Sequence, residues 1–272
     1  MNGITRVAVF AVTVVSTMMV SCNSISPYLM PEEDEIKMGE KFSLQIAADT
    51  VEYPAFKGNP AVPKYIDSLG QKIASVQNDW STSKVTFTFT IVKNDTMINA
   101  FAVPGGHVYV YTGLLLAAEN EAQVAGVIAH EIGHITKHHS RNILIKQNMV
   151  GLVNDLLFGS EASSLKAISE LLGGLVFLRF SRDNEYEADS CAVAYTKAAG
   201  MNPKGMSQFL GILKKQYGDV PRILEPVETL TSTHPKVSLR ITEVDGIIQK
   251  SGADTTVSLK ATEYAGIKAL IK

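Results

Sequence analysis

With 272 residues, 46% of them hydrophobic and 19% charged, the chain can bury one sizeable core or two small ones. Its formal net charge is only −2 at pH 7 and no basic run interrupts it, which argues against a nucleic-acid partner.

The N-terminus reads as a targeting segment. Met1 to Arg6 is a short region with one positive side chain, and Val7 to Val20 is an apolar run. That run is short for crossing a bilayer but suits the core of a signal peptide. It ends in Met19-Val20-Ser21-Cys22, which resembles a bacterial lipobox with Met19 where Leu is usual. The expected division is a lipoprotein signal peptide over 1–22, a polar tether over 23–31 and a single domain over 32–272. Cys22 would carry the lipid anchor and become the new N-terminus; an ordinary signal peptide cleaved nearby is the plainer alternative. More than one acyl chain gives stable membrane anchoring. Cys191, the other cysteine, lies in an apolar helical run from Ala188 to Ala199 and reads as a small buried hydrophobe.

In the domain, Glu32 to Thr50 predicts an amphipathic helix with Met38, Phe42 and Ile46 four apart. Pro63 to Gln77 predicts a second, with Ile66, Leu69, Ile73 and Val76 at helical spacing. Val85 to Val92 alternates apolar residues with threonines, the pattern of a half-buried strand. Met97 to Val103 is a second extended piece, Pro104-Gly105-Gly106 a turn, and His107 to Thr112 another strand. A helical stretch begins at Gly113, and Glu119 to His139 carries a long apolar helix. Asn142 to Arg179 holds apolar pieces at Met149–Phe158 and Leu171–Phe180 around a more polar stretch, read as helices and a loop able to cover a cleft. Helices follow over Ser181–Gly200, Met206–Tyr217 and Pro235–Lys250. Helices, a small strand cluster and more helices indicate an α+β fold that is mostly helical.

The chemistry sits on the long apolar helix, in His130-Glu131-Ile132-Gly133-His134. Positions four apart share a helix face, so both imidazoles point one way with the spacing a Zn²⁺ ion needs. Glu131 sits beside them, placed to take a proton from an activated water. Val124, Val127, Ile128, Ile132 and Ile135 make the helix largely buried, where two histidines and a carboxylate are costly without a ligand. Gly133 leaves room beside the second histidine.

A catalytic zinc site needs a third protein ligand and an open fourth position. The best candidate is in Phe180-Ser181-Arg182-Asp183-Asn184-Glu185-Tyr186-Glu187-Ala188-Asp189. Glu185 and Asp189 are four apart, so Glu185 can ligate while Asp189 bonds the far nitrogen of a ligand histidine. Glu187 points off that face and is the weaker choice; a solvated acidic helix end is the bland alternative.

HEIGH followed by FSRDNEYEAD resembles the gluzincin endopeptidases, the family of the CAAX prenyl endopeptidase, HtpX, the mitochondrial Oma-type proteases and the periplasmic protease BepA. Residues 99–115, NAFAVPGGHVYVYTGLL, and 232–241, STHPKVSLRI, are similar to further segments of that family. The resemblance implies one Zn²⁺ per chain on His130, His134 and Glu185, with Glu131 as general base and Asp189 behind a ligand. It also implies that Asn99, Ala100, Phe101, Ala102 and Val103 form an edge strand able to hold a peptide by main-chain pairing.

His234 precedes Pro235 near a helix start. It is expected either to approach the metal, assisting catalysis or closing the open position at rest, or to cap the last helix. Arg240 could stabilise an oxyanion or pair with Asp189 or Glu185. His138 and His139 are expected at the surface or a helix end, and His107 in a structural role. The resulting expectation is a lipid-tethered envelope endopeptidase acting on misfolded or stalled envelope proteins. The alternative is a periplasmic chaperone or assembly factor for outer-membrane proteins with latent proteolysis.

Overall fold

The computed structural model describes residues 29–78, 85–176, 180–218 and 237–271. The signal segment, Cys22, most of the tether and His234 lie outside the described residues.

Eleven α-helices, a short 3-10 turn at Pro104–Gly106 and three strands are described. Helix α1 (Glu32–Ala48) and helix α2 (Ala61–Ala74) precede β1 (Thr88–Val92), β2 (Ala100–Val103) and β3 (His107–Tyr111). Then come α3 (Thr112–Ala117), α4 (Glu121–Thr136), α5 (His139–Lys146), α6 (Val150–Phe158) and α7 (Glu161–Val176). Helices α8 (Arg182–Ala198), α9 (Gly205–Tyr217), α10 (Val237–Ser251) and α11 (Ala261–Ala269) complete them. The mostly helical α+β class expected from the sequence is borne out. No helix among the described residues is long and apolar enough to cross a membrane.

The sheet order is β1-β3-β2, with β1 parallel and β2 antiparallel to β3. Period-two alternation splits the side chains of β3 between two cores. Val108 and Val110 face a large core with α2, α4, α8, α9 and α10. Tyr109 and Tyr111 face a smaller one with Met38, Phe42 and Ile46 of α1 and Leu156 and Leu171 of α6 and α7. The hairpin between β2 and β3 turns on Gly105 and Gly106, at φ +81° and +101°, backbone that side chains rarely adopt.

Helix α4 is the centre of the domain. Every residue from Glu121 to Thr136 is buried, where the sequence indicated a broad apolar face. Its first turn is capped by Asn120, whose side chain accepts a hydrogen bond from the Gln123 amide at 3.0 Å. It packs against α8 and α9, with β2 also alongside.

Three expectations need correction. The α4 helix does not run on to His139: it ends at Thr136, capped by Lys137, and His138 takes a left-handed conformation, φ 54° and ψ 34°, before α5 begins. The polar stretch after Gly159 is helical, not a loop, because Ser160 and Ser163 supply side-chain bonds at the start of α7. Helix α11, absent from the sequence reading, is anchored by buried Tyr264, whose hydroxyl donates to the Leu115 carbonyl at 2.6 Å.

Candidate metal centre

His130 and His134 leave α4 on the same side, as the four-residue spacing requires. Their Nε2 atoms lie 3.0 Å apart. Glu185 reaches in from α8, with Oε2 at 3.7 Å from His130 Nε2 and Oε1 at 3.7 Å from His134 Nε2. One donor atom from each residue falls within a 4.8 Å cluster, and all three residues are buried. Donors bound at about 2.0–2.1 Å around a tetrahedral ion sit roughly 3.3 Å apart, close to this arrangement.

Gly133 sets the distance between the two helices. A Cβ there would stand 2.8 Å from Cys191 Cβ and 3.2 Å from Ala188 Cα. The glycine therefore makes room for α8 rather than for the neighbouring histidine. Ser181 caps α8, accepting from the Asn184 amide at 3.2 Å, which sets Glu185 in the first turn.

Asp189, one turn after Glu185, lies 2.9 Å from His130 Nδ1. The expected contact of Asp189 with the far nitrogen of His130 is therefore present. Arg240 resolves among its alternatives as an ion-pair partner of both acids. Its Nε and Nη2 donate to Asp189 Oδ2 at 2.8 Å and Oδ1 at 2.6 Å, and its Nη1 lies 2.8 Å from Glu185 Oε2. This fork clamps α10 to α8 from within the core.

These contacts shift the titrations. Burial alone would raise Asp189, but the Arg240 guanidinium and the His130 bond outweigh it and hold the carboxyl well below the usual carboxylate range. Burial would lower Arg240, yet Asp189 and Glu185 keep it firmly protonated. His130 is lowered, first by burial and then by the charge of Arg240, against the pull of Asp189. It is thus held neutral, the form that ligates.

The donor set fits a divalent cation. Glu131, Glu185 and Asp189 are each at most 1% exposed, and Arg240 pairs with Glu185 and Asp189. Carboxylates gathered in a core are costly without positive charge, and a dication would add to the charge of Arg240. His130 Nδ1 is committed to Asp189, so its Nε2 presents a lone pair toward His134.

Other predicted positions fall as follows. Ala100 to Val103 form β2, which lies at one end of the described sheet and beside α4. Asn99, just before it, is buried, and its side chain accepts from the Ala100 amide at 2.9 Å. His107 bonds Thr88 Oγ1 at 2.8 Å, in keeping with a structural role. His138 is at a helix end and meets Glu35 Oε2 at 2.8 Å. His139 opens α5, so it is at a helix end as expected, but it is buried rather than at the surface. It is 1% exposed, its Nδ1 lies 2.8 Å from His134 Nδ1, and its Nε2 lies 3.2 Å from Glu187 Oε2. Phe180 also joins the site, stacked on the His134 ring at 3.9 Å between centroids. Neither contact with His134 was expected from the sequence. Five residues beyond His134, His139 would face away on a continuous helix, and only the break at His138 turns it back.

Residues 60–248 match the model of peptidase family M48. The chain belongs to peptidase family M48. The match spans His130, His134, Glu185, Asp189 and Arg240, and it bears out the resemblance carried by HEIGH and FSRDNEYEAD. The chain is 31% identical over 219 residues to the beta-barrel assembly-enhancing protease of Escherichia coli (strain K12), covering 77% of this chain and 42% of that one. It is 27% identical over 248 residues to the protein of the same name from Yersinia pestis, covering 88% and 49%. It is 30% identical over 145 residues to the mitochondrial metalloendopeptidase OMA1 of Arabidopsis thaliana, covering 53% and 28%. This M48 chain thus spans half or less of the length of these relatives.

Proposed function

We propose that this M48 chain is a zinc-dependent endopeptidase of the bacterial cell envelope, with one Zn²⁺ held by His130, His134 and Glu185. The observation that carries the reading is the buried convergence of those three donors beside Glu131. Bound zinc would supply a Lewis acid that polarises a scissile carbonyl and acidifies water. The Glu131 carboxylate takes the proton of the attacking water and returns it to the leaving nitrogen. Asp189 keeps the His130 proton on Nδ1, and Arg240 keeps Asp189 and Glu185 in place. Strand β2, with Asn99 before it, holds the substrate backbone by adding it to the sheet edge.

Lipidation at Cys22 would tether residues 32–272 to a membrane, in this reading the outer membrane on its periplasmic side. Misfolded or stalled envelope proteins are the proposed substrates; two similar proteins are named for enhancing beta-barrel assembly. His234 is proposed to approach the metal, either closing the open position or assisting the reaction.

The test compares wild type with Glu131→Gln on casein, with zinc measured in both. Wild type should cleave, and the variant should keep its zinc while losing about 10²–10⁴-fold in rate. Equal cleavage would overturn the role of Glu131. Bound zinc with no cleavage in either would favour a chaperone or assembly factor. For His234→Ala, a rise in activity indicates inhibition, a large fall indicates assistance, and no change removes both roles. Cys22→Ser should release the protein from the membrane fraction; retention would overturn the lipid anchor.

A further inference from the structure

The two metal-facing histidines are supported differently. His130 meets a buried carboxylate directly, through Asp189 at 2.9 Å. His134 meets another imidazole, His139, at 2.8 Å between Nδ1 atoms, and that imidazole meets Glu187 Oε2 at 3.2 Å. The His139 side chain is 1% exposed, whereas that of Glu187 is 52% exposed.

We infer that Glu187 and His139 form a positioning relay that sets the tautomer of His134 for metal binding. The inference rests on the proposed zinc site. To ligate, His134 Nε2 must present a lone pair, so its proton must sit on Nδ1. His139 Nδ1 must then accept that proton's hydrogen bond, which leaves the His139 proton on Nε2. That proton points at the Glu187 carboxylate, which only accepts.

Reversing the chain shows what Glu187 adds. If His139 donated from Nδ1 to His134, its own Nε2 lone pair would face a carboxylate oxygen at 3.2 Å. His134 would then carry its proton on Nε2, 3.0 Å from His130 Nε2, in the place a metal would take. The carboxylate disfavours this metal-excluding arrangement. Phe180, stacked on His134 at 3.9 Å, holds the ring plane while the relay sets the proton.

The left-handed residue at His138 has its purpose here. Without the break between α4 and α5, His139 could not point back at His134. Helix α8 thereby serves the site three times: Glu185 toward the ion, Asp189 behind His130, and Glu187 behind His139.

The test measures Zn²⁺ affinity by chelator competition in wild type, Glu187→Ala, His139→Ala and the double variant, with thermal melts as the folding control. Because Glu187 is half in solvent, its truncation should leave the fold intact. Each single variant should bind zinc about 10–100-fold more weakly, the usual effect of removing a group behind a metal ligand. Adding Glu187→Ala to His139→Ala should cost little more, because Glu187 acts through the imidazole. His139→Asn, whose Oδ1 takes the place of Nδ1, should recover most of the loss seen in His139→Ala. Wild-type affinity in folded Glu187→Ala would overturn the relay, as would a full additional loss in the double variant. A wild type that binds no zinc would overturn the site itself and the relay with it.

Discussion

His130 Nδ1 and Asp189 Oδ1 meet at 2.9 Å in the core, and Arg240 Nη2 holds the same oxygen at 2.6 Å. One carboxylate therefore meets His130 and receives the buried guanidinium that joins α10 to α8. Site geometry and core stability are coupled through that atom.

Asp189→Asn keeps a side-chain oxygen but loses the charge. Zinc affinity should fall about 10–100-fold, measured by competition with a chelator. Asp189→Ala leaves Arg240 buried without its main partner and should destabilise the fold by about 3–5 kcal/mol, measured by urea unfolding.

Arg240→Leu leaves Glu185 and Asp189, one turn apart on α8, without the buried guanidinium they share. The metal-free protein should lose about 3–5 kcal/mol. Saturating zinc should stabilise the variant, because the ion replaces part of the missing positive charge. Unfolding curves with and without zinc check this, and an equal loss in both would contradict it.

Gly133→Ala should destabilise, although alanine ordinarily favours an exposed helix interior by about 1 kcal/mol over glycine. The added methyl would meet Cys191 Cβ at 2.8 Å, so α8 must shift and carry Glu185 with it. Lower melting temperature and weaker zinc binding are expected together. A stabilised variant with wild-type affinity would show that the contact between α4 and α8 does not set the site.

Much of this was legible in the residues. The apolar periodicity around HEIGH marked the central helix, and the Glu185–Asp189 spacing placed both acids on one face because α8 is regular there. Arg240 was a candidate partner from its charge alone. His139 was not legible, since its position depends on a left-handed residue at His138, which is neither glycine nor asparagine. Helix α11 escaped because its apolar residues show no clear face and one tyrosine anchors it. Pairing of β1 in parallel with β3 follows from three-dimensional packing that alternation does not encode.

Acid should destabilise the metal-free protein. His107, His130 and His139 are lowered from 6.5, each chiefly by burial. Below about pH 6.5 the unfolded chain takes up protons that the folded chain refuses until lower pH, so stability is full above that value and falls beneath it. Melting temperatures between about pH 7 and pH 5 check the sign. His107→Gln, which removes none of the three clustered donors, should reduce the slope.

The most direct measurement is anomalous diffraction at the zinc edge from crystals grown with Zn²⁺. The expected result is one strong peak per chain, about 2.0–2.2 Å from His130 Nε2, His134 Nε2 and a Glu185 oxygen. No peak, or a peak away from those three atoms, would contradict a zinc centre built on His130, His134 and Glu185.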